Sequence, residues 1–424
     1  MIKRCICILV ALHIYSSHAF AQASADAARV QALEEQLLAA QATLQSLGST
    51  IDALVVEIAA IRGETAAMVR SSSEDPGPDN GDGYAERILV SDLGHDERGE
   101  ELSPRPELFV QTRYHANPID EASDDDVVRN FGLGRMELRW AGRVSEKIGM
   151  GYEIQYHPGP DGAAEELVND AYVEYYPSDT LTVRAGQFVK PFGFDIQHSS
   201  SERESPERGI FAGYFFPGQR DRGLMLAADM GAMAQWMNGM TFYAGVFNGN
   251  RFFDDSNSTV NYNLRVRKVF DALPLAIGAS LQRGTQILPP GTSGNDDEHV
   301  YGIDLQYVVG RLGIRAEYVR GNTPSTLLGL EPEFVPAYTP GSKSSGAAAF
   351  FNYNLTANDD IYWRIDKFAN DPVTQRDIRA YNLGYLRRIG TNSRIGIDYQ
   401  RKNHVTFNDD ELNSALSITW NLEY

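Results

Sequence analysis

The chain has only two cysteines in 424 residues, and both, Cys5 and Cys7, fall within the first 21. If that segment is removed, what remains has no disulfide framework, no thiolate zinc site and no cysteine nucleophile. After residue 21 no stretch approaches the ~20 consecutive apolar residues of a spanning helix. Net positive charge is missing too: 38 Lys and Arg stand against 57 Asp and Glu, for a formal charge of −19, which makes nucleic acid a poor partner. There is no HExxH, G-x-S-x-G, P-loop or dinucleotide glycine pattern, and the eight histidines are dispersed. Ser199 and Ser200 are neighbours of His198 in sequence only, short of a nucleophile–base constellation. Neither an enzyme nor a cofactor or metal site is expected.

What is present begins with a secretory pattern. Lys3 and Arg4, the apolar run Ile6 to Ile14 and Ala19-Phe20-Ala21 read as a signal peptide over 1–21; the alternative, an uncleaved anchor, has too short an apolar core. From 22 to 70 the apolar spacing is heptad-like. Val30, Leu37, Leu44, Ile51 and Ile58 fall at a, and Leu33, Ala40, Leu47, Leu54 and Ile61 at d, which predicts a periplasmic coiled coil, dimeric or trimeric. An amphipathic helix on a globular domain is the alternative. Residues 71–103 read as an acidic flexible linker. Within it Asp79 to Gly83 lacks the ligand spacing of a calcium loop.

Past residue 104 the period changes to two. Ile148, Met150, Tyr152, Ile154 and Tyr156 alternate with Gly149, Gly151, Glu153, Gln155 and His157; Tyr301 to Val309 and Leu312 to Tyr318 do the same. The chain holds 19 Phe, 21 Tyr and 4 Trp at a mean hydropathy of −0.34. Greasy and polar faces that alternate along each strand reconcile the two values, as in a transmembrane β-barrel. About sixteen strands are expected over 104–424. Short connections near Ser145, Ser178, Asp271, Gly310, Asn358 and Asn392 alternate with mostly longer ones, a parity that a sandwich or propeller does not require. In the last strand Leu416, Ile418, Trp420, Leu422 and Tyr424 alternate with Ser417, Thr419, Asn421 and Glu423. The pattern reads as a closing strand recognised by the barrel assembly machinery, with both barrel ends in the periplasm.

The longest connection, 189–222, carries Lys190, Arg203, Arg208, Arg220 and Arg222 among five acids, and is a candidate constriction loop or an ordinary outer surface loop. Strand parity places Arg135, Arg139, Arg143, Arg184, Arg265, Arg267, Arg315, Arg364 and Arg394 on inner faces. Rings of such cations favour anions, unless inner acids such as Glu153, Glu317, Asp366 and Asp398 neutralise them.

An ordered set of segments over 169–249 carries a family likeness. It runs Asn169-Asp170-Ala171-Tyr172-Val173-Glu174-Tyr175, Val183-Arg184-Ala185-Gly186-Gln187-Phe188 and Lys190-Pro191-Phe192-Gly193. It continues through Ser199-Ser200, Glu207-Arg208, Pro217-Gly218 and Arg222-Gly223 to Tyr243-Ala244-Gly245-Val246-Phe247-Asn248-Gly249. The set resembles the phosphate-selective porin O and P family. The resemblance implies a trimeric sixteen-stranded channel whose third loop folds into the lumen. It implies conduction of anions by constriction lysines and a ladder of arginines. Here Lys190 is the only lysine in the loop.

The expected function is thus an outer-membrane porin for small hydrophilic solutes, inorganic or organic anions such as phosphate. Its surroundings would be outer-membrane lipid and lipopolysaccharide, with a homotrimer as the assembly. The alternatives are a structural tether that uses the coiled coil on periplasmic partners, or a cation-preferring or non-specific pore.

Overall fold

The computed structural model describes residues 105–118, 127–158, 164–216, 218–249, 259–270, 273–287, 295–322, 343–369, 377–405 and 410–424. The chain divides into two compact units, 1–76 and 77–424, and every described residue belongs to the second. The expected leader 1–21, coiled coil 22–70 and linker 71–103 lie outside the described residues.

Sixteen strands follow in order: β1 Arg105–Pro118, β2 Val127–Ser145, β3 Ile148–Pro158, β4 Ala164–Ser178, β5 Leu181–Val189, β6 Arg220–Asp229, β7 Met240–Phe247 and β8 Asn261–Phe270, then β9 Leu275–Ile287, β10 Asn295–Val309, β11 Leu312–Asn322, β12 Lys343–Thr356, β13 Asp359–Ala369, β14 Asp377–Ile389, β15 Ser393–Val405 and β16 Asp410–Glu423. Each pairs antiparallel with its sequence neighbours, and β16 returns to β1 to close the barrel. The closing register runs from Phe109 opposite Glu423 to Ala116 opposite Leu416. Tyr424 completes it, accepting from Leu108 N at 2.7 Å and donating to Leu108 O at 2.9 Å. No sheet edge is left, which is what a strand assembly needs where lipid offers no hydrogen bonds.

The barrel is inverted relative to a water-soluble core. Its large apolar side chains point out and are exposed, among them Ile303 at 61% and Leu383 at 58%, while Asn263, Gln282, Asp360 and Asp366 on the inner face are buried. In β16, Leu416, Ile418, Trp420 and Leu422 face out, as does Tyr424 just beyond it; Ser417, Thr419 and Asn421 face in. Aromatic residues near the short-turn ends belong to an interfacial belt. Trp420 Nε1 donates to Ser393 Oγ at 2.8 Å, and Tyr385 OH to Asp359 at 2.5 Å. By the turn-length rule the short-turn side, where β1 begins and β16 ends, is periplasmic.

Leu383 lies at the middle of β14 on the lipid face. Leu383→Arg should cost ~2–4 kcal/mol of barrel stability. Urea titration of the barrel refolded into vesicles measures it, and a loss near zero would place Leu383 away from mid-depth.

Candidate functional site

The connection from β5 to β6 does not stay outside. Its base is pinned where Lys190 N donates to Gln219 O at 3.1 Å, and from there the chain turns into the lumen. Gly193 makes the turn with φ of 54°, and a Cβ there would collide with Glu317 Oε1. One short helix, α1 Ile210–Phe215, forms deeper in the loop. The outer-surface alternative for this connection is excluded. Its bounds also shift: Val189 ends β5 and Arg220 begins β6, so Arg220 and Arg222 stand on a strand.

Apolar burial anchors the loop. Phe192, Ile196, Phe211, Ala212, Phe215 and Phe216 form one buried cluster with Val300, Val319, Phe368 and Ile378 from the inner faces of β10, β11, β13 and β14. Tyr214 stacks on Phe368 with ring centroids 4.1 Å apart, and Phe192 meets Phe216 at 4.5 Å. Gly346 on β12 leaves the space that Phe211 fills; a Cβ there would strike the Phe211 side chain. Each fully buried phenylalanine contributes ~1.5–3 kcal/mol relative to exposure. Several together hold the loop as a fixed element.

Polar contacts then spread around the wall. Glu317 Oε2 accepts from the backbone N–H of Phe194 at 2.9 Å and Asp195 at 2.8 Å, and Ser280 Oγ accepts from Gly193 N at 3.0 Å. Ser200 Oγ donates to Glu137 at 2.6 Å, and Arg139 reaches Ser199 at 2.7 Å and Ser201 at 3.1 Å. Glu204 pairs with Arg315 at 2.6 Å; Arg364 donates to Ser205 Oγ at 2.9 Å and to the Glu207 carbonyl at 2.5 Å; Arg394 donates to the Ser200 carbonyl at 3.2 Å. The segment 199–207 therefore meets wall strands on both sides of the lumen.

The basic residues fall into distinct settings. Lys190 is buried, with Nζ 5.6 Å from the Phe216 ring centroid. Arg208 donates to the carbonyls of Asp195, Ile196 and His198 at 3.0, 3.2 and 2.9 Å and so braces the loop from within. Arg220 bridges Glu153 at 2.9 Å and Asp170 at 3.0 Å, and Arg222 Nε donates to Gln187 at 3.2 Å. Arg203 is buried with Nε and Nη1 lacking a hydrogen-bond partner.

On the wall, Arg139 pairs with Glu153 at 2.6 Å and Glu137 at 2.9 Å, Arg184 with Glu174 at 2.7 Å, Arg265 with Asp304 at 2.6 Å and Arg364 with Asp366 at 2.8 Å. Arg143 lies over the Tyr176 ring at 4.2 Å, Arg315 over Phe350 at 4.1 Å, and Arg267 is buried. Arg135 meets Glu207 at 3.0 Å, and so does Arg113 of β1 at 2.7 Å. Sequence reasoning missed Arg113, although the outward Val110, Thr112 and Tyr114 imply by parity that it faces in. Nothing in the sequence marks Glu207 as its partner, because that contact depends on the path of the loop.

Electrostatics along the loop follow from this crowding. Half-exposed to the lumen yet enclosed by the barrel wall, the Glu207 carboxyl would be raised by its partial desolvation, but Arg135 and Arg113, with Arg203 beyond them, hold it at about 2. Burial, then Arg208 and Arg135, push the Arg203 guanidinium well down. Burial, then Arg315 and Arg203, push His198 down as well. Because the folded value of Glu207 lies below the ordinary 4.5, its stabilising contribution is complete above that pH and is lost as the pH falls towards about 2. Phe211→Ala should weaken loop docking by ~3–5 kcal/mol, the usual cost of emptying such a site. Faster cleavage within 190–219, with the barrel still folded, reports it.

A closed sixteen-stranded barrel with an exposed apolar exterior, a polar interior and an inward loop is an outer-membrane porin. Residues 110–286 match the family model of phosphate-selective porin O and P. No curated relative matches in sequence. Among solved structures, the anion-selective porin from Comamonas acidovorans is similar at 11% identity and a TM-score of 0.55, over 76% of this chain and 99% of that one. Salmonella typhi OmpF, in complex with daunomycin, is similar at 12% identity and 0.55, over 75% and 97%. The outer membrane channel DcaP of Acinetobacter baumannii is similar at 10% identity and 0.54, over 76% and 97%. These likenesses concern the fold.

Proposed function

We propose that this outer-membrane porin conducts small hydrophilic anions passively, phosphate among them, with loop 190–219 as its constriction. The observation that carries the reading is the gathering of Arg113, Arg135, Arg139 and Arg394 around loop segment 199–207. Cationic groups lining a narrow passage favour anions, and low-dielectric walls strengthen the effect. The family match and the anion selectivity named for the Comamonas acidovorans porin support the same direction. Phosphate stands as one substrate of several, since Lys190 is buried against Phe216 and most wall arginines are already paired with carboxylates. The preference is accordingly modest. A homotrimer in lipid and lipopolysaccharide is the proposed assembly, inserted by the barrel assembly machinery through the β16 pattern. The heptads of 22–70 would join its subunits on the periplasmic side.

Planar-bilayer recording in a KCl gradient tests the reading. Discrete conductance steps with a reversal potential of anion-selective sign are expected. Absence of steps would remove the channel, and a cation-selective sign would remove the anion preference.

A further inference from the structure

Glu207 differs in its setting from Glu204 and Asp195 of the same loop. Glu204 is buried with Arg315, and Asp195 accepts from Gly209 N at 2.8 Å inside the loop. The Glu207 side chain is 52% exposed, yet each of its oxygens is taken by a separate guanidinium. Oε1 lies 2.7 Å from Arg113 Nη2 on β1, and Oε2 lies 3.0 Å from Arg135 Nη2 on β2. Among the described residues neither arginine pairs with another carboxylate. Behind them Arg203 is 5% exposed, with Nε and Nη1 unpartnered. Arg203 and Glu207 line the same cavity of about 40 Å³. Two guanidinium groups thus hold one carboxylate, and a third lines the cavity beside it.

The loop has no need of this carboxylate for docking. Its apolar cluster, the Glu317 latch and the Arg364 bond to the Glu207 backbone carbonyl all hold without the side chain. A forked, hydrated oxyanion between two guanidinium groups is the geometry in which arginines bind a free carboxylate or phosphate. We propose that Arg113, Arg135 and Arg203 form an oxyanion site of which Glu207 is the tethered occupant. A permeating carboxylate or phosphate must displace that side chain, so Glu207 sets the affinity and selectivity of the passage. The inference rests on the anion-porin reading and deepens it. Tethering gives the internal carboxylate a millimolar or higher effective concentration, so free anions compete at a disadvantage. Removing its charge uncovers the site.

The test is Glu207→Gln, nearly isosteric and still able to hydrogen bond, in the full chain reconstituted in planar bilayers. Acetate and inorganic phosphate are titrated against chloride current, and the heat-resistant folded band on gels confirms the barrel. The expected result is a reversal potential further towards anions than wild type. Half-blocking concentrations of both oxyanions should fall about tenfold, as expected for loss of a tethered competitor. Block by phosphate alone would narrow the ligand to phosphate. Unchanged half-blocking concentrations and selectivity would overturn the proposal. So would a conductance rise that is the same for every anion, because that is what loosening a mere latch produces. A cation-selective wild-type channel refutes the anion-porin reading instead, and the shift between wild type and variant still reports on the site.

Discussion

The ladder between β1 and β16 is the contact on which the rest of this molecule depends. In hydrocarbon an unpaired backbone N–H or C=O costs several kcal/mol, and an open sheet has two rows of them. Closure removes both rows at once. The ring is complete to the final residue, where Tyr424 both accepts from and donates to Leu108. The same register decides which side chains meet lipid, since a slip of one residue would turn Trp420 and Ile418 inward and Asn421 and Thr419 outward. Backbone satisfaction and side-chain sorting are one constraint.

Closure separates two environments, and the interior follows polar rules. Charges withdrawn from water persist when paired, as Arg265 with Asp304 and Ser280 and Arg184 with Glu174 show. Two inward patches break that pattern: Phe188, Met225, Ala227, Tyr243 and Phe247 pack together on β5, β6 and β7, and the other meets the loop. Val300, Val319, Phe368 and Ile378 are apolar on inward positions, and the loop's phenylalanines cover them. The loop enters the lumen because two apolar surfaces would otherwise face water there, and its polar contacts set its register once it is inside.

Much of this was legible in the sequence. Period-two alternation and the parity of turn lengths carry the sixteen strands, because side chains of a barrel strand have only two directions to choose from. Strand ends were less legible: β6 starts at Arg220, before the alternation from Gly223 becomes visible. The path of the loop was not readable from local pattern, since docking joins residues far apart in the chain. Two signs were nevertheless present. The loop is rich in phenylalanine, and the polar phase of β10, β11, β13 and β14 is interrupted by Val300, Val319, Phe368 and Ile378. Parity could have given Arg113, whereas its pairing with Glu207 requires the folded loop.

The number of arginines is a poor guide to the selectivity of such a passage. An arginine buried against a carboxylate, such as Arg315 with Glu204, contributes little net field and works mainly as structure. Charges beside water act differently, because the potential felt by a passing ion depends on how completely each is neutralised and how near the low-dielectric wall it lies. Apolar burial fixes the loop here, so its exposed side chains are not all required for docking. Glu207 and the arginines around it occupy that position: held in place by neighbours, open to the passage, and free to determine which ions linger there.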